Sequence, residues 1–214
     1  MKTDVNSLIK RQEELASDRY TWEDTWDDLL YYCLPNREPV LNEDEKGTVR
    51  NIEVYDSTSS EGVKILASNV NSMITNQASE WFQLETDDRE LNGQQEVKEW
   101  LDETTEIISK ALENSNFYTE VHEMYLDLAS VGTGCLYIQG STQEEGQKLN
   151  FQSRHIKEIY TAEDDDGFVD TLFRKCRIPI RKLVQKWGID KLSEKTQKRY
   201  VDYPDEEIDI LHCV

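Results

Sequence analysis

The chain has 214 residues, 37% of them apolar, with ten Tyr, five Trp and five Phe. That is enough to bury a core, as one large domain or two small ones, and it excludes a disordered polymer. The formal charge of −20 excludes a surface that grips nucleic acid throughout, because such a grip needs cations that neutralise phosphates.

The charge is uneven. Residues 171–200 hold ten cations, Arg174, Lys175, Arg177, Arg181, Lys182, Lys186, Lys191, Lys195, Lys198 and Arg199, against only Asp190 and Glu194. The segment carries +8, so the other 184 residues carry −28. A segment of this kind contacts DNA or an acidic neighbour, or is a solvated face balancing the acidic remainder. No apolar run reaches the roughly 20 residues of a membrane helix, and "MKTDVNSLIK" lacks the apolar centre of a secretory signal. Cys33, Cys135, Cys176 and Cys213 are far apart with no C-x-x-C pair. That spacing argues against zinc or a disulfide framework and for reduced thiols in an intracellular protein.

Leu8, Leu15, Trp22 and Leu29 recur every seven residues, with Trp26 and Cys33 four after the last two. The spacing predicts one long amphipathic helix over roughly 5–33, buried along that stripe and stopped by Pro35. Trp22 with Trp26, and Tyr31 with Tyr32, are of a type that stacks bases, but their helical periodicity favours burial. "NREPVLNEDEKGTVRN" reads as a polar, mobile loop. A second helix begins near "DSTSSEG", where Thr58 and Glu61 have capping-box spacing and Asp56 is another cap. Val63, Leu66, Val70, Met73 and Ile74 form its stripe.

"EWFQLE" (80–85) alternates as a short strand does. Residues 94–113 return to helical spacing through Val97, Leu101, Ile108, Ala111 and Leu112. "ENSNFY" interrupts, with Ser115 or Asn116 placed to cap the next helix, which Tyr118, Val121, Tyr125 and Leu128 carry to Gly132. "CLYIQG", "KLNFQS", "HIKEIYTAE" and "GFVDTLFRKCRI" read as strands, with "EDDDG" a turn between the last two. Pro179 opens a short helix, "SEKTQKRY" is another, and "EEIDILHCV" begins a strand in which the chain stops. An apolar strand at the end predicts that more chain follows. The class is α+β.

The catalytic candidates are weak. "ASVGTGCLYI" suggests a phosphate loop, yet G-x-x-x-x-G-K-[ST] is absent, no Lys or Arg lies between Ala111 and Gln147, and a strand rather than a helix follows. A helix stop and turn is the better reading. "EDDDG" aligned as a calcium loop puts Ala162 and Phe173 where oxygen ligands belong. His122, His155 and His212 are isolated, and no G-x-S-x-G occurs. Among 44 carboxylates any chosen acid–base pair is uninformative.

Four stretches in order resemble one family, the portal or head-to-tail connector proteins of short-tailed double-stranded DNA bacteriophages. "WEDTWDDLLYYCLPNRE" is similar to their opening Trp-containing helix ending in Pro. "YDSTSSEGVKILASNVNSMITNQASEWFQLE" resembles their Asp-Ser/Thr helix and Trp-Phe strand. "VKEWLDETTEIISKALENSNFYTEVHEMYLDLASVGTGCLYI" resembles the third block, and "AEDDDGFVDTLFRKCRIPIRKLVQKWG" the hairpin and helix that follow.

The resemblance implies a portal wing-like α+β fold of long amphipathic helices plus a small, mostly antiparallel sheet or hairpin region. Residues 1–135 would be mainly helical with one short strand. Residues 136–214 would be β-rich with short basic helices, the two forming one wing-like unit that continues beyond this chain. It implies a structural protein without catalytic residues, cofactor or metal. The full-length protein would form a homo-oligomeric ring, usually a dodecamer, at one capsid vertex of the virion, assembled in the host cytoplasm with no membrane. Double-stranded DNA would pass through it without sequence-specific binding during packaging and ejection. Terminase, capsid or scaffolding proteins and tail adaptors would be its partners. Arg174, Lys175, Arg177, Arg181, Lys182 and Lys186 are the candidate contacts with a neighbouring subunit or DNA. Such portals are usually more than twice this length, and their stem, clip and tunnel loop match no residue here. The alternative is a free-standing acidic adaptor or DNA mimic, which explains the charge but not four ordered blocks.

Overall fold

The computed structural model describes residues 4–41, 54–140 and 149–214. In chain order the elements are α1 (Val5–Cys33), α2 (Thr58–Ile74), α3 (Arg89–Asn92), α4 (Gln95–Glu113), α5 (Phe117–Val131), β1 (Cys135–Gly140), β2 (Leu149–Arg154), β3 (Ile159–Glu163), β4 (Val169–Pro179), α6 (Ile180–Trp187), α7 (Glu194–Asp202) and β5 (Glu207–Cys213). The class is α+β, with two small antiparallel sheets, as the sequence predicts. Two compact units result, one of residues 23–157 and one of residues 1–22 with 158–214.

Helix α1 has the expected bounds but not the expected stripe. Trp22 is 61% exposed and Leu29 is also exposed, whereas Leu30 is 1% exposed. Burial instead follows Gln12, Leu15, Arg19, Glu23, Trp26, Leu30 and Cys33, with steps of three and four. The seven-residue spacing survives through Gln12, Arg19, Trp26 and Cys33 but in another register, and at its far end Trp26, Leu30 and Cys33 pack with Leu34, Val40 and Val131. Tyr32 is likewise exposed, its ring edge-on to Tyr31 at 5.1 Å.

Helix α5 is the centre of the 23–157 unit. One cluster on it joins Val131 to Leu30, Leu34, Val40 and Ile156, with Trp26 and Val63 alongside. The other joins Phe117, Val121 and Tyr125 to Ala67 of α2 and Phe151 of β2. Leu126 packs on both. Leu128, expected on the buried stripe, faces solvent. Each fully buried aliphatic side chain here contributes about 1.5–3 kcal/mol. The polar loop expected after Pro35 has a packed beginning, since Pro39 and Val40 are buried and the Val40 N–H donates to Asp27 Oδ1 at 2.7 Å. Residues 42–53, which include the rest of that loop, lie outside the described residues.

In α2 the predicted Thr58–Glu61 capping box is not formed. Asp56 caps instead, accepting from the Thr58 N–H at 2.8 Å and its hydroxyl at 2.6 Å, while Ser57 Oγ reaches Glu61. Of the predicted α2 stripe Val63 and Val70 turn in, with Ala67, outside that stripe, buried between them, and Leu66, Met73 and Ile74 are exposed.

"EWFQLE" is not a strand. Residues 81–86 are extended with no ladder partner among the described residues. Trp81 stacks on Phe117 with centroids 5.9 Å apart and donates from Nε1 to the Tyr118 hydroxyl, and the Leu84 N–H donates to Thr105 Oγ1 at 3.4 Å. Alternation supplies two faces, but a strand also needs a neighbour, and helices are what lie beside this segment. Of the two residues placed to cap α5, Ser115 accepts from the Phe117 N–H at 3.1 Å, and Asn116 has another role. It makes no side-chain cap, and its amide instead clamps both polar groups of Phe151, Nδ2 to the carbonyl at 2.8 Å and Oδ1 from the N–H at 2.9 Å.

In the other unit β4 is the middle strand of β3-β4-β5, with Ile159 opposite Arg174 and Cys176 opposite Ile210. "HIKEIYTAE" is a strand only from Ile159, because residues 156–158 form a 3-10 turn. The β3–β4 connection is the predicted turn. Asp164 Oδ1 accepts from the N–H groups of Asp166 and Phe168, and Gly167 takes φ of +82°, which side chains disfavour. Arg19 of α1 donates to the Ile159 carbonyl at 2.5 Å and lies 3.9 Å over the Tyr160 ring. Helix α6 buries Ile180 and Leu183. Its first N–H groups are satisfied by the Glu206 and Pro204 carbonyls, as helix starts require.

Candidate functional site

The Gly132-Thr133-Gly134 turn is a junction. Gly132 ends α5 at φ +77° with its N–H on the Leu128 carbonyl at 3.1 Å. A Cβ on Gly134 would lie 2.7 Å from Met124 Cγ and 3.0 Å from the Met124 carbonyl oxygen, so glycine lets the start of β1 press against α5. No helix follows to aim N–H groups at a phosphate, because β1 begins at Cys135.

The six basic candidates divide by residue type. Arg174 Nε meets Glu158 Oε2 at 2.6 Å with its side chain 15% exposed, so it is committed to the fold. Arg177 Nε meets Asp209 at 3.2 Å across the β4–β5 pair, and Arg181 pairs with Asp205. Arg199, outside the six, pairs with Glu206 through two nitrogens, which raises the arginine's pKa and lowers the carboxylate's. Lys175, Lys182 and Lys186 are exposed, and among the described residues none makes an ion pair. Lys186 Nζ lies 5.0 Å from the Trp187 ring. The structure therefore collects the lysines as available charge and spends the arginines at home, a distinction the summed +8 hides.

A second polar cluster is one that sequence reasoning misses. Arg37, just past α1, meets Glu123 Oε2 at 2.9 Å and Asp127 Oδ1 at 3.0 Å, and donates to the Glu123 carbonyl. Asp127 is 3% exposed. Burial pushes its pKa up to about 6, against the opposing pull of Arg37 and the Ser153 hydroxyl. The available signal is an acid inside the apolar turn "YLDLAS". A buried carboxylate demands a cation, but nothing local names one ninety residues away. A recess of about 250 Å³ beside Arg37 is lined by Leu34, Pro35, Lys64 and Leu126 among others. Arg37 is already engaged there.

The remaining candidates stay apart. Among the described residues no three His, Cys, Asp or Glu side chains gather closely enough to hold a metal ion. Among the described residues no disulfide joins the four cysteines. His122 is half-buried on α5, with Nδ1 enclosed and without a hydrogen-bond partner among the described residues. No helix of the described residues is long and apolar enough to cross a membrane.

A comparison with known families decides what this α5-centred scaffold is. Residues 5–214 match the model of the bacteriophage head to tail connecting protein family. The chain belongs to that family. It is 28% identical to the portal protein of Salmonella phage epsilon15 over 215 aligned residues, covering 100% of this chain and 38% of that protein. It is also 28% identical to a probable portal protein of Bordetella phage BPP-1, covering 93% of this chain and 36% of that protein. The chain thus spans little more than a third of the curated relatives it matches. Membership of this head-to-tail connecting family is what the four ordered blocks of sequence implied. Its Gly-Thr-Gly turn, hairpin and α6 all fall within the matched residues.

Proposed function

We propose that this chain is a wing-forming segment of a portal ring at one capsid vertex of a phage virion. The ring is the conduit for DNA in packaging and ejection and the platform for terminase, capsid or scaffolding proteins and the tail. The observation that carries this reading is the family match across residues 5–214 together with relatives named as portal proteins. Twelve subunits are the ring number proposed for the full-length protein. The net charge of −20 supports a conduit, because DNA must slide through it, and a mostly anionic wall binds phosphates less than a cationic one. Residues 1–135 are proposed as the chain's mainly helical part and residues 136–214 as its β-rich part.

Lys175, Lys182 and Lys186 are the cations proposed to meet a neighbouring subunit, while Arg174, Arg177 and Arg181 are paired with Glu158, Asp209 and Asp205. A closed ring requires two different patches on each subunit, and opposite charge is one way to make them complementary. The test is negative-stain electron microscopy of the product of the whole reading frame. Closed annular particles are expected. A monodisperse monomer that captures a basic protein would support the acidic adaptor instead.

A further inference from the structure

Resting on the ring reading, we infer that the outer face of α4 in one copy receives the lysine face of α6 and α7 in the next. Helix α4 buries Leu101 and Thr105 and turns Trp100, 60% exposed, and Ile107, 67% exposed, to solvent. These two are seven residues apart, so they share one side of the helix. Glu96 and Glu103 interleave with them at i−4 and i+3 of Trp100, with Glu99 beside. Among the described residues none of these three carboxylates makes an ion pair, and Glu99 accepts from Gln95. An exposed Trp fenced by unpaired carboxylates calls for a partner that is both cationic and apolar.

That chemistry exists on this chain. Lys182 and Lys186, at i and i+4 of α6, lie on one side of that helix, and Lys195 and Lys198 of α7 add to them. All four are exposed and have no ion-pair partner among the described residues. Trp187 of α6, Val201 of α7 and Tyr203 just after α7 are exposed as well. The unit of residues 23–157 carries 27 acids and ten bases, or −17, and the other unit 17 acids and 14 bases, or −3. Copies therefore attract best when the lysine face of one meets an acidic face of another, while like faces repel. The local arginines add nothing to this attraction, since Asp205, Asp209 and Glu206 already neutralise them. A contact of this sort is heterologous, the kind that closes into a ring rather than stopping at a twofold dimer.

The test is a charge-swap cycle on the full chain, read by sedimentation velocity at low and high salt. Wild type is expected to self-associate at low salt and dissociate as salt screens the charges. Lys182→Glu with Lys186→Glu, and separately Glu99→Lys with Glu103→Lys, should each weaken association by about tenfold or more. Mixing the two variants, each now bearing one reversed face, should restore a one-to-one complex. Trp100→Ala should weaken association at both salt concentrations. Circular dichroism melting confirms that each variant is folded, which these exposed positions permit. Association that survives both reversals overturns this pairing of faces and leaves the ring reading standing. A wild-type chain that stays monomeric at every salt, with no annular particles from the whole reading frame, overturns both.

Discussion

In the unit of residues 23–157, Arg37 and Asp127 meet inside the protein, 3.0 Å apart, with Asp127 almost wholly out of water. In the unit of residues 1–22 and 158–214, Arg177, Arg181 and Arg199 meet carboxylates at the surface. The contacts look alike on a distance scale, but their energetics differ. Water screens the surface pairs, so each contributes little, whereas breaking a buried pair strands an uncompensated charge. The first set of charges fixes the fold and the second shapes an electrostatic surface.

The sharpest way to separate the two sets is Arg37→Ala, expected to cost about 3–5 kcal/mol in urea unfolding at pH 8, because Asp127 is left ionised and unpaired. The loss should shrink at pH 5, where Asp127 takes up a proton. Next comes the pH dependence of Asp127 itself. Its folded pKa of about 6 lies above the ordinary 3.8, so its contribution is full below about pH 4 and is lost as pH rises through 6. Stability of wild type relative to Asp127→Asn should fall by about 3 kcal/mol between pH 4 and 7, since each pKa unit is worth about 1.4 kcal/mol. A difference that rises with pH would contradict the burial of this acid.

Gly134→Ala should cost about 1–3 kcal/mol in the same unfolding measurement, because the new methyl group meets Met124 backbone as well as side chain. The same change at Gly140, where nothing lies within 4 Å, should cost well under 1 kcal/mol. Smallest of all, Arg177→Ala should change the midpoint of thermal unfolding by less than about 1 kcal/mol equivalent while leaving the lysine face intact.

Much of the fold is legible from residues because the signals are local. Pro35, Pro179, Gly132 and Asp164 punctuate the chain by their own backbone chemistry, and the structure ends or turns its elements at each. What is not legible depends on distant partners. Leu30 rather than Leu29 faces the core because Val40, Val131 and Ile156, distant in the chain, cover that side of the helix. Residues 80–85 have strand spacing but no strand beside them among the described residues. Asn116 spends its amide on Phe151, 35 residues away, and Arg37 finds Asp127 across 90. The basic candidates show the same limit: composition counts ten cations, and only geometry tells which are already paired.

The proposed placement of this protein at a single vertex is tested by labelling intact virions with an antibody raised against the folded chain and imaging them by electron microscopy. Label confined to the tail-bearing vertex, exposed after tail removal, is the predicted result. Label spread over every vertex, or absent from opened particles, would contradict it.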